Sequence, residues 1–185
     1  MPMLQTITPQ AFWYLRHGET AWNAQNLSQG SIDIPLNDAG IAQAHTAARA
    51  LTGRGIRTIV SSPLSRATHT AQIVADALGL NVTQDAELAE VAFGVQEGQP
   101  MGSWFDDWLA GHLTPDGAEP FAELGERAVR AINRALMLEA PVLVVAHGAL
   151  FRAMRGHMGL PVTVRPANAA PLFCEPGEPW TLTAP

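Results

Sequence analysis

The sequence predicts an α/β domain: a three-layer αβα sandwich around a largely parallel central sheet, with a short lid-like insertion. Two observations carry the alternation of strands and helices. The run Val142-Leu143-Val144-Val145 is apolar at every position, as a strand buried on both faces must be, and the earlier Phe12-Trp13-Tyr14-Leu15 reads the same way. Between them lie segments whose apolar residues recur at helical spacing, so helices separate the strands.

In order along the chain, the strand at Phe12–Leu15 is followed by a polar, turn-rich stretch through Pro35. Asn37 or Asp38 then caps a helix that presents Ile41, Ala44, Ala48 and Leu51 on one face. Gly53 and Gly55 stop it, and Thr58-Ile59-Val60 reads as the second strand. After Ser61-Ser62-Pro63 a helix places Leu64, Ala67, Ala71, Val74 and Leu78 together and ends at Gly79. Asn81-Val82-Thr83 reads as a short strand. Residues 91 to 120 change character, with five glycines, three prolines and the aromatic group Trp104, Phe105 and Trp108. This stretch reads as an excursion over one face of a single domain spanning residues 1–185. Helical spacing returns through Phe121, Leu124, Ala128, Ile132 and Leu136. The Val142–Val145 strand then leads through Ala146-His147-Gly148 into a helix near Ala149 to Met158, and Leu172-Phe173 reads as an edge strand.

Composition narrows the function. In 185 residues, 47% are hydrophobic and 15% charged, which supports a packed core and excludes wholesale disorder. The net charge of -6 comes from 17 acids against 11 bases, every base an arginine. Such a chain is a poor partner for nucleic acid or an anionic membrane. Scattered arginines can still build one local anion site, because guanidinium stays charged and grips phosphate with paired bonds. The lone Cys174 excludes an internal disulfide and a cysteine-based zinc site, and no metal-ligand spacing is present. With no membrane-spanning stretch and no basic leader, a cytoplasmic location is expected.

His17 and His147 occupy equivalent places, each at the carboxyl end of a strand, where open α/β sheets bind ligands. Arg16 precedes the first, and Arg66 lies one turn into the helix after the Thr58 strand. Together they could meet one tetrahedral anion, a phosphate or a carboxylate. His45, His69 and His112 read as solvated, and Asp106-Asp107 as an exposed face. The arginines Arg127, Arg130 and Arg134 read as a solvent-facing helical stripe, and Trp104, Phe105 and Trp108 as packing residues.

The segment Leu15-Arg16-His17-Gly18-Glu19-Thr20-Ala21-Trp22-Asn23 resembles the signature of the histidine phosphatase superfamily, in its phosphoglycerate-mutase-like branch. The likeness continues, in family order, through Gln29-Gly30-Ser31-Ile32-Asp33-Ile34-Pro35-Leu36-Asn37, Ser61-Ser62-Pro63-Leu64-Ser65-Arg66-Ala67, Leu88-Ala89-Glu90 and Val144-Val145-Ala146-His147-Gly148. The resemblance implies that His17 is the nucleophile, neutral beside Arg16 and Arg66, and carries a phosphohistidine. It implies that Arg16, Arg66 and His147 hold the phosphoryl oxygens, that Asn23, Gln29 and Gly30 bind the same group, and that Glu90 protonates the leaving oxygen. It implies no metal and no cofactor. The expected partner is a small phosphomonoester, with oligomeric state unread.

Within that branch, hydrolysis and phosphoglycerate mutation compete as readings. A mutase needs extra cations for a carboxylate and a second phosphate. The chain has no arginine or lysine between Arg66 and Arg127, and Leu27 stands where many members carry a basic residue. Hydrolysis is therefore the expected activity; a non-catalytic binder of phosphorylated ligands would not need both His17 and Glu90.

Overall fold

The computed structural model describes residues 6–185. The expectation that no basic leader is present falls partly on residues 1–5, which lie outside that range. Six strands form one sheet: β1 Phe12–Arg16, β2 Thr58–Ser61, β3 Val82–Gln84, β4 Val142–Ala146, β5 Leu172–Glu175 and β6 Thr181–Thr183. Their order is β3-β2-β4-β1-β5-β6. The pairs β1–β4, β4–β2 and β2–β3 are parallel, whereas β5 and β6 join antiparallel at one edge. The sheet is thus largely parallel, as its strand sequences require. β6 escapes sequence reading because Thr-Leu-Thr is too short to show a period.

The helices are α1 Ala21–Ala24, α2 Asp38–Leu51, α3 Ser65–Leu78, α4 Ser103–Leu109, α5 Phe121–Leu136 and α6 Gly148–His157. Asn37, rather than Asp38, caps α2 by accepting the Gly40 N–H at 2.8 Å. α3 ends on Gly79 at φ 68°, a left-handed conformation that suits glycine. The turn-rich stretch after β1 contains a helical turn the sequence reading leaves out. It is held by a reciprocal cap, in which Thr20 Oγ accepts from the Asn23 N–H and Asn23 Oδ1 accepts from the Thr20 N–H.

Side chains alternate across the sheet and feed two cores. Trp13 and Leu15 of β1 pack with α2 and α3, while Phe12 and Tyr14 pack with α5 and α6. The continuous apolar β4 serves both faces, with Leu143 and Val145 on one side and Val142 and Val144 on the other. Full burial of each such side chain stabilises the fold by about 1.5–3 kcal/mol. Trp108 is fully buried and packs edge-on against Phe93 and Phe121, whereas Trp104 and Phe105 are only half-buried against the same core, so one of the three α4 aromatics is wholly a core residue.

Register decides where the functional ends fall. Leu15 pairs with Val145 and Arg16 with Ala146, and the His17 N–H continues the ladder to the Ala146 carbonyl at 3.0 Å. His17 and His147 therefore emerge side by side. The signature loop then runs against α2 at a close approach of two glycines. A Cβ on Gly18 would sit 2.9 Å from the Cα of Gly40, and one on Gly40 would sit 2.7 Å from the Glu19 nitrogen.

The arginine stripe on α5 is not a free solvated face. Arg127 forms a bidentate pair with Glu119 at 2.8 and 2.7 Å and donates to the carbonyls of Glu87 and Ala89. Arg130 bonds Glu87, and Arg134 bridges Asp85 and Glu87. Helical spacing reads the same whether a stripe faces water or a strip of acceptors; here it clamps the segment that leads into Glu90. Arg127→Met should leave those carbonyls and Glu119 without a donor and cost about 1–3 kcal/mol, measured as a lower urea midpoint at unchanged slope.

Candidate active site

At the carboxyl ends of β1, β2 and β4 a pocket is lined by Arg16, His17, Asn23, Gln29, Gly30, Arg66 and Glu90, with His147 immediately behind. Every site residue expected from the sequence is thereby gathered in one place. The His17 and His147 rings lie 5.3 Å apart between centroids.

Each polar side chain is held by some of its atoms and leaves another unpaired. His17 Nδ1 donates to the Gly18 carbonyl at 2.6 Å, which leaves the Nε2 lone pair free. Gly18 is itself fixed by its N–H, bonded to Thr70 Oγ at 3.0 Å. His147 Nε2 lies 2.7 Å from Ser62 Oγ, and that hydroxyl already accepts the Leu64 N–H. Ser62 can give its hydroxyl proton to Nε2, and the neutral ring then carries its own proton on Nδ1. Arg66 spends both terminal nitrogens on the carbonyls of Ile32 and Gly30, each at 2.8 Å. Arg16 places Nη1 on the Pro166 carbonyl at 2.9 Å. Arg16 Nε, Arg66 Nε and His147 Nδ1 are then buried donors with no partner among the described residues. Leaving such donors unpaired is costly, and three in one pocket define a place for an acceptor-rich anion.

Electrostatics points the same way. Burial, then Arg16 and Arg66, push the His17 pKa well below the usual imidazole value. Burial, then Arg66 and His17, do the same to His147. Burial followed by repulsion from Arg165 lowers Arg16 to about 9, which still leaves it charged at neutral pH. The pocket thus holds neutral imidazoles among charged guanidiniums.

Glu90 is seated at the start of α6. Its carboxylate accepts the N–H groups of Val91, Ala149 and Leu150 at 3.0–3.1 Å. Glu97 and Glu19 serve elsewhere: Glu97 holds Ser31 and Phe93, and Glu19 accepts from Asn37. Asn23 Oδ1 is used by its cap and by Asn168, and Gln29 Oε1 accepts from Thr20 Oγ at 2.6 Å, so each keeps an amide nitrogen for the pocket. The Gly30 carbonyl serves Arg66, and its φ of 54° suits a residue without a side chain.

Several pocket residues were invisible in the sequence. Tyr14, fully buried, donates to the His147 carbonyl at 2.8 Å and accepts the His147 N–H at 3.1 Å. Arg152, from α6, and Arg165, from the loop before β5, both line the pocket. The stretch between Arg66 and Arg127 brings no cation to the pocket, as its sequence requires, and the further cations arrive from the C-terminal stretch instead. Asp106 and Phe105 also line it, so this part of α4 is neither purely solvated nor purely packing. His45, His69 and His112 are exposed and lie outside it.

A sheet of this order, with two histidines and two arginines gathered at its carboxyl end, presents a site for an oxyanion. The chain belongs to the histidine phosphatase superfamily (branch 1), whose family model matches residues 12–166. It is similar to the probable phosphoglycerate mutase GpmB of Yersinia pestis (strain Pestoides F), with 40% identity over 162 residues, 80% of this chain and 75% of the relative. Among solved structures it resembles a mycobacterial glucosyl-3-phosphoglycerate phosphatase in complex with VO3, with TM-score 0.81 and 29% identity over 94% of this chain and 97% of the other. A mutant phosphoserine phosphatase from Entamoeba histolytica in complex with phosphoserine aligns with TM-score 0.80 and 25% identity over 94% and 95% of the two chains. Among the described residues, no helix is long and apolar enough to cross a membrane.

The buried neutral histidines make stability depend on pH. In the unfolded chain both titrate near 6.5, whereas in the folded state they resist protonation. The unfolded state then binds more protons below that value, so stability falls as pH drops from about 6.5. Urea midpoints should decline between neutral pH and the carboxylate range, and His17→Asn should flatten the decline.

Proposed function

We propose that the protein is a metal-independent phosphomonoester hydrolase of the histidine acid phosphatase type, acting on a small phosphorylated metabolite through a phosphohistidine on His17. The observation that carries this reading is the free Nε2 of a neutral His17 in a site where Arg16 Nε, Arg66 Nε and His147 Nδ1 are buried without a partner among the described residues. In the first step the Nε2 lone pair attacks phosphorus and the bond from phosphorus to the ester oxygen breaks. Glu90, in its acid form, gives that oxygen its proton; Oε2 accepts only the Ala149 N–H and has room for one. Arg16 Nε, Arg66 Nε, His147 Nδ1 and the Asn23 and Gln29 amides hold the equatorial oxygens as charge shifts. In the second step water attacks phosphorus, Glu90 takes the water proton, and the phosphorus–nitrogen bond breaks to release inorganic phosphate and neutral His17. Fixed guanidiniums supply the positive charge that a metal ion provides in other phosphoryl-transfer sites.

A second reading is favoured by one observation: Arg152 and Arg165 give the pocket cations that a phosphoglycerate mutase would need. Incubation with a panel of phosphomonoesters separates the two. Release of inorganic phosphate supports hydrolysis; interconversion of phosphoglycerates without release supports the mutase; neither reaction marks a binding protein.

Alkaline quenching during turnover should trap an acid-labile phosphoryl group on His17. Turnover should survive chelation and be blocked by vanadate. His17→Ala should remove the trapped group and lower turnover by roughly 10³-fold or more. Phosphate mapped to His147 would reverse the two histidines.

Glu90 is tested by the leaving group. An alkoxide needs a proton to depart and a nitrophenolate does not, so Glu90→Gln should slow alkyl phosphates by about 10²–10⁴-fold and p-nitrophenyl phosphate only mildly. Equal losses on both would make Glu90 a positioning group at the start of α6.

A further inference from the structure

We propose that Arg152 and Arg165 form a second anion subsite at the mouth of the pocket, and that it selects phosphomonoesters whose leaving group carries a carboxylate. The inference rests on the phosphatase reading and adds to it the chemical class of the leaving group.

The placement follows from the phase of α6. Gly148 and Arg152 are four residues apart and share one face of the helix. The Gly148 end of that face looks onto Arg16, since a Cβ there would lie 3.2 Å from Arg16 Nε. Arg152 stands on the same face about 6 Å further along the axis. Its guanidinium carbon lies 5.0 Å from the centre of the Phe105 ring, a cation–π arrangement that holds it over the pocket. Arg165 lines the same pocket. It directly precedes Pro166, whose carbonyl anchors Arg16, so its backbone is tied to the phosphate end of the site.

Neither arginine is neutralised within the protein. Arg57, Arg127, Arg130 and Arg134 each form an ion pair, whereas among the described residues Arg152 and Arg165 form none and make no side-chain hydrogen bond. Their repulsion is felt around the pocket: Arg165 lowers the pKa values of Arg16, His17 and Arg152. The nearest acid on this rim is Asp106, which is solvent-exposed and beyond ion-pair distance. With Glu90 in the acid form that its proposed role requires, the two guanidiniums and Asp106 leave a single excess positive charge, which matches a monoanion. At the floor, Arg16 and Arg66 match the two charges of a phosphate ester. A carboxylate also presents two oxygens in one plane, the shape a guanidinium edge recognises.

The test compares 3-phosphoglycerate with glycerol 3-phosphate, which differ only in a carboxylate against a hydroxymethyl group. The wild-type protein should prefer the carboxylate by about tenfold or more in kcat/KM, a preference of the size that one charge-assisted contact gives. Arg152→Met keeps the packing on Phe105 and Arg165→Gln keeps a polar tip. Each should cut kcat/KM for 3-phosphoglycerate by about 10- to 100-fold, mostly through KM, with a much smaller loss on glycerol 3-phosphate. The double variant should erase the preference, and matching urea midpoints should show that each variant folds. No wild-type preference, or equal losses on both compounds, would overturn the subsite and leave the phosphatase reading standing. If no ester is turned over, the phosphatase reading fails, and titration calorimetry with the same two compounds decides the subsite. Tighter binding of 3-phosphoglycerate that depends on both arginines supports it, and equal affinities overturn it.

Discussion

Two guanidiniums are buried against two imidazoles with no carboxylate paired to either. That cluster is unstable unless every side chain is restrained, because like charges drive one another apart and toward water. The protein meets this by anchoring each group to a neutral acceptor or hydroxyl. Arg66 is fixed by two carbonyls, Arg16 by one, His17 by Gly18 and His147 by Ser62. The repulsion also keeps both rings uncharged, which preserves the lone pair of one and the single N–H of the other. Positioning and reactivity thus come from the same hydrogen bonds.

The surrounding elements exist to hold those anchors in place. The carbonyls that grip Arg66 belong to the 30–32 loop, itself held by Glu97 through Ser31. The α5 arginines secure the strip that ends at Glu90, and Tyr14 ties β1 to the first residue beyond β4. Several of these links run through a backbone carbonyl or amide, which asks for a position rather than a particular side chain.

What the sequence shows and conceals follows from that design. The β4 run and the paired positions of His17 and His147 are legible, because strand burial and topology leave a mark on residue type. The arginines beside the signature are legible through the family likeness. Arg152 and Arg165 are not: one depends on the phase of α6 against Phe105, the other on a proline-rich loop with no period. Tyr14 looks like any apolar strand residue until its hydroxyl is seen bridging both backbone groups of His147. The α5 stripe misleads because amphipathic spacing reports direction, not what lies opposite. β6 and α1 are too short for periodicity to register.

The place of β1 in the sheet has a consequence for the order in which the protein is made. β1 carries Arg16, leads into His17 and is the first strand made, yet its two neighbours are β4 and β5, both drawn from the last quarter of the chain. Every β1 contact that shapes the site therefore closes a loop of well over a hundred residues, the type of closure that slows folding. A growing chain that has finished α2, β2 and α3 has the Arg66 half of the anion pocket and an unpaired, aromatic first strand. Until β4 arrives, the nucleophile has no second histidine, and Phe12, Trp13 and Tyr14 have no strand to cover their edges. The site and the sheet centre are completed by the same late event, so incomplete chains carry no assembled phosphoryl pocket.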